Sequence, residues 1–95
     1  MDKEQMEKCE DSIEMSSYAQ QVLSNPAHKR AMLHLKKDLE LKFIACGATD
    51  VENLQEIKRM FSALERLEKA YLKMLEDGKV AQSRLQKFLD RMRKK

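Results

Sequence analysis

Residues 46–77 read CGATDVENLQEIKRMFSALERLEKAYLKMLED, and the fold turns on this stretch. From Asp50 onward, Ile57, Met60, Leu64, Leu67, Tyr71 and Met74 recur at steps of 3, 4, 3, 4 and 3, the rhythm of an amphipathic helix. Leu54, Phe61, Leu72 and Leu75 widen that stripe beyond what a two-stranded seam needs. So wide an apolar face predicts a helix that touches its own hairpin mate and a neighbouring subunit as well. Glu65 and Lys69 sit one turn apart outside the stripe, a weakly favourable pair. The opening Cys46-Gly47-Ala48-Thr49-Asp50 reads as a joint. Gly47 can take the left-handed conformation that closes one helix, and Thr49 and Glu52 have capping-box spacing to open the next.

Upstream, Ser24-Asn25-Pro26 is a helix start: a side-chain oxygen caps free N–H groups, and proline fits the first turn because its missing N–H is harmless there. Between Pro26 and Cys46, Met32, Leu35, Leu39, Phe43 and Cys46 define one face, widened by Ala31, Leu41 and Ile44. Before Asn25, a short helix is expected over about 11–23, with Met15, Tyr18, Ala19, Val22 and Leu23 as its stripe. Met6, Cys9 and Ile13 continue the rhythm backwards, but dense charge predicts fraying over residues 1–10. Downstream, Asp77-Gly78-Lys79 breaks or kinks the rod, and no Ser, Thr or Asn follows to cap a new helix. Val80, Ala81, Leu85, Phe88, Leu89 and Met92 then form a short basic helix, with 93–95 as its tail.

The expected fold is therefore all-α and a single domain of 95 residues: an elongated antiparallel hairpin of helices at about 26–46 and 50–77, with a short helix on either side. Two glycines and one proline leave little for tight hairpin turns, which argues against a sheet. A helix over 50–77 would be about 40 Å long at 1.5 Å per residue. A compact 100-residue globule has a radius of gyration near 13 Å, so the rod overhangs any core the rest can build. A second copy is expected to cover its apolar face, the alternative being a monomeric three- or four-helix bundle in which the first and last helices fold back onto the hairpin.

Charge is polarised along the chain despite a net +3. Residues 1–23 hold six acidic side chains against Lys3 and Lys8; residues 79–95 hold seven basic ones against Asp90. Such a head and tail attract each other, and the tail suits phosphates on DNA or a nucleotide. Arg84, Lys87, Arg91, Arg93, Lys94 and Lys95 are the candidate contacts, with residues 84, 87, 91 and 95 sharing one helical face. No zinc finger, RNA-binding aromatic signature or helix-turn-helix accompanies them, so binding should be salt-sensitive and indifferent to sequence. Leu54, Ile57, Phe61, Leu64, Leu67, Tyr71 and Met74 are the candidate oligomer interface.

Enzyme chemistry finds no foothold. The bases available to a triad are His28 and His34, and His34 with Asp38, one turn on, reads as a surface pair. No Glu is followed three residues later by His, as a di-metal bundle site requires. Cys9 and Cys46 lack metal-ligand spacing and read as apolar filler in a reducing cytosol. No metal or cofactor is expected. The polar start and the lack of a run of roughly 20 apolar residues predict a cytoplasmic protein without a membrane partner.

The segment from Phe61 to Gln82, FSALERLEKAYLKMLEDGKVAQ, resembles the closing half of small phage-encoded helical-hairpin proteins, in which a long amphipathic helix ends in an acidic-Gly-Lys-x-Ala joint. That resemblance implies one of two roles. The first is an assembly or DNA-packaging component similar to small terminase subunits, which form rings through helical hairpins. The second is an inhibitor of host defence that sequesters a nucleotide messenger or a host protein between subunits. Neither family's binding motif matches position by position, so the resemblance assigns no binding residue.

Overall fold

The computed structural model describes residues 1–94 and is all-α over them, as the sequence predicts. Helix α1 spans Lys3–Ser24, α2 spans Pro26–Ala45 and α3 spans Val51–Arg93. The chain forms two compact units, one of residues 24–69 and the other of residues 1–23 with the chain from Ala70 onward.

The first unit is the expected antiparallel hairpin, α2 against the opening part of α3. Asn25 sits in an extended conformation (φ −68°, ψ 123°), and its Oδ1 accepts from the N–H groups of Ala27 (2.9 Å) and His28 (3.1 Å), with Pro26 directly behind it. Asn25→Ala should therefore cost about 0.5–2 kcal/mol, read as a lower urea midpoint at unchanged slope. The far end of α2 departs from expectation. No glycine has a positive φ, and the chain leaves the helix through an extended Cys46 (φ −76°, ψ 132°) rather than a left-handed Gly47. Asp50 N–H then bonds Gly47 O (3.0 Å) to close the turn. Asp50, not Thr49, caps α3: its Oδ1 accepts from Asn53 N–H, and its carbonyl accepts from Leu54 N–H (3.1 Å).

Leu39 and Ile57 form the buried core of this unit, with Leu54, Phe61 and Leu64 half-buried beside them. The inward row of α3 continues to Glu68, which reaches Lys36 across the hairpin at 2.5 Å. That contact rotates the stripe by one position from the one expected. Met60 and Leu67 lie on the flank, each 43% exposed, while Phe61 and Glu68 turn inward. Both ends of the ion pair remain substantially solvated, so it fixes register more than it adds stability, contributing at most ~1 kcal/mol. The Glu65–Lys69 pair forms on the outside as expected, at 3.2 Å.

The second unit pairs α1 with the closing part of α3, also antiparallel: Ser16 lies against Gly78, whereas Gln5 shares a recess with Arg84 and Phe88. Helix α1 begins at Lys3, well before residue 11. The reason is a reciprocal cap. Asp2 Oδ1 accepts from Gln5 N–H (2.8 Å), and Gln5 Oε1 accepts from Asp2 N–H (3.2 Å). The break at Gly78 and the separate fourth helix are overturned, because α3 runs unbroken to Arg93. Gly78 is buried where α1 passes close by. A methyl group there would overlap Ser16 Cβ and Oγ and come within 3.3 Å of Ser12 O. Cys9, Ser12, Ser16 and Ala19 give α1 a small-residue face at three- and four-residue steps, and Cys9, Ala19 and Ala81 are buried. The glycine allows close packing; it does not stop the helix.

Candidate functional site

The basic end of α3 gathers the strongest set of candidate groups. On a helix turning roughly 100° per residue, Arg84, Lys87, Arg91 and Lys94 fall within about a quarter of the circumference, whereas Arg93 points to the opposite side. Arg84, Lys87 and Arg91 line one recess of about 230 Å³ with Met1, Gln5 and Phe88. The three cationic side chains are exposed and Phe88 is half-buried. Lys95, expected on the same face, lies outside the described residues.

Among the described residues, no ion pair joins the acidic head to this basic end. Glu4 pairs with Lys8 (3.5 Å) on α1 itself. Asp90, the only acidic residue of 79–95, accepts from Gln86 Nε2 at 3.0 Å. Arg84, Lys87 and Arg91 thus keep their charge for a partner. Arg91 and Arg93, in the last turn, also offset the negative end of the helix dipole. Arg84 and Lys87 stand further back and are not explained that way.

Sequence reasoning missed Gln5 and Phe88 as members of this cluster. Phe88 was legible only as part of an apolar stripe. Gln5 had one local signal, its spacing from Asp2, which sets the start of α1 and hence which residues meet α3.

The expected interface residues divide. Leu54, Phe61, Leu64 and Tyr71 are half-buried and Ile57 is buried, while Leu67 and Met74 remain exposed. On α2, Leu33, Leu41 and Ile44 lie roughly 120–200° around the helix from Leu39, and Ile44 is 77% exposed.

The His34–Asp38 pair does not form as expected; Asp38 instead reaches Lys42 at 3.1 Å. Both cysteines are free thiols, Cys9 buried and Cys46 half-buried with its Sγ 3.7 Å from Asp50 O. No group of three or more His, Cys, Asp or Glu able to hold a metal ion occurs among the described residues. Tyr18 donates its hydroxyl to Glu14 Oε1 (2.9 Å), and that bond, with the negative charge behind it, raises the phenol above its ordinary pKa. Among the described residues, no helix is long and apolar enough to cross a membrane.

Compared with protein-family models, curated proteins and solved structures, the chain matches none. Function therefore has to be argued from the site alone.

Proposed function

We propose that this chain is a non-enzymatic, homo-oligomeric helical interaction protein of phage origin, serving assembly or DNA packaging, with phosphate contacts from the basic end of α3. One observation carries the self-association. Fifteen large hydrophobic side chains are exposed among the described residues, while five hydrophobic residues are buried. A pair of helices covers only one stripe of each, and fully burying a Leu or Met side chain is worth about 1.5–3 kcal/mol. Covering the flank of Met60 and Leu67, or the outer row of Leu33, Leu41 and Ile44, therefore favours association. Charged residues interleave with these rows, which suits a specific helical partner better than a lipid surface.

Light scattering across a dilution series tests the self-association. A mass that is a multiple of 11.2 kDa at tens of micromolar is the expected result, lowered by Leu67→Glu or by Leu41→Glu with Ile44→Glu. A single-chain mass at that concentration would remove the oligomer. Failure to retain any nucleic acid at low salt would remove the phosphate contacts.

A further inference from the structure

Resting on the reading that the basic end of α3 meets phosphates, we infer that the recess bounded by Gln5, Arg84, Lys87, Phe88 and Arg91 is a site for single-stranded nucleic acid. It takes a phosphodiester on its three cations and a base against Phe88. Three features of the recess converge on that ligand. Arg84, Lys87 and Arg91 stand at i, i+3 and i+7 on a continuous helix, so their heads are held along one line about 10 Å long. No carboxylate among the described residues forms an ion pair with any of them, and their desolvation by a phosphate displaces only water and counterions.

The second feature is the donor on α1. Gln5 Oε1 is occupied by Asp2 N–H, which leaves the Nε2 donors as the part of its amide available to an anion. The cap that starts α1 thereby also presets a hydrogen-bond donor beside the cations.

The third is Phe88, the only aromatic residue of 79–95, which borders the recess. An aromatic ring beside a row of cations is the arrangement that holds single strands, whose base faces are free; in a duplex those faces are already stacked. Sites that enclose a small molecule run to roughly 300–1,000 Å³, and this recess, at about 230 Å³, falls below them. It fits one phosphate and the edge of one base, with the rest of the ligand outside.

Fluorescence anisotropy of the full chain with a labelled oligothymidine, and with a duplex of the same length, reads the proposal. Single-strand binding should weaken with salt at a slope of about −2 in log K against log concentration, as three cations at −0.7 each require. Arg84→Gln with Arg91→Gln should bring the slope to about −0.7, whereas Arg93→Gln, on the far side, should leave it unchanged. Phe88→Leu should lower affinity about 5–150-fold at unchanged slope. Both arginines are exposed, so their replacement tests the site even if Phe88→Leu loosens the fold. Equal weakening by Arg93→Gln would show a diffuse charge effect and overturn the site. Tighter binding of the duplex would overturn the single-strand assignment while leaving the phosphate reading in place. Binding of neither form at about 50 mM salt would overturn both. Light scattering on the same samples keeps self-association separate, since an oligomer that binds neither form removes the site and the phosphate contacts but leaves self-association standing.

Discussion

Gly78→Ala is expected to destabilise the protein by about 1–3 kcal/mol, the usual cost of adding volume to a packed contact. The sign is the informative part. Glycine inside an exposed helix is worse than alanine by roughly 1 kcal/mol, so helix propensity alone predicts stabilisation. Here the added methyl would overlap Ser16 Cβ, an atom with no rotamer to retreat into, and would crowd the Ser12 carbonyl. Helix α1 must move away, and the contacts of buried Cys9, Ala19 and Ala81 loosen with it. For a chain of this size, 1 kcal/mol corresponds to about 4–8 °C in melting temperature, so a drop of at least several degrees is expected. Adding Ser16→Gly should recover part of it by removing the overlapping atom. Gly47→Ala is the control: a methyl there meets nothing within 4 Å and φ is not positive, so stability should barely change. A higher melting temperature for Gly78→Ala than for the parent would mean that α1 does not pass where it is placed.

Leu39→Ala should have the largest effect in the hairpin, about 2–5 kcal/mol. The hairpin buries only Leu39 and Ile57, at 4% and 7% exposure, so little neighbouring core is available to collapse into the space left behind. Natural domains have a stability of about 5–15 kcal/mol, so this one change removes a large fraction of it. Urea unfolding followed by circular dichroism measures the shift. Leu41→Ala, at a position 66% exposed, should change the midpoint little in dilute protein. Comparable losses at both positions would contradict the inward face assigned to α2.

The inward face shows where sequence reading stops. The three-four spacing establishes that residues 51–77 are helical and which half of the helix is apolar. It does not choose between Met60 and Phe61, Met74 and Leu75, or even Leu67 and Glu68, because adjacent positions differ by only about 100° around the axis. The choice falls to the opposing helix, where Lys36 reaches Glu68 and turns a charged residue toward the hairpin at the expense of Leu67. At the basic end, the shared face of Arg84, Lys87 and Arg91 was readable from their spacing. Gln5 was not, because nothing local pairs a residue of α1 with one about eighty positions on; Phe88, one turn from Arg84, read only as part of the apolar stripe.

Local chemistry determined the helices themselves. The Asn25-Pro26 cap, the turn before Val51, the scarcity of glycine and proline, and the periodic apolar stripes act within a few residues and can be read along the chain. The tertiary structure decided what those signals leave degenerate: that Gly78 permits a close approach of α1, and which apolar residues stay uncovered. Each of these depends on an atom's distance from an atom on another segment. Burial and steric exclusion are properties of that distance, and no sequence window contains it.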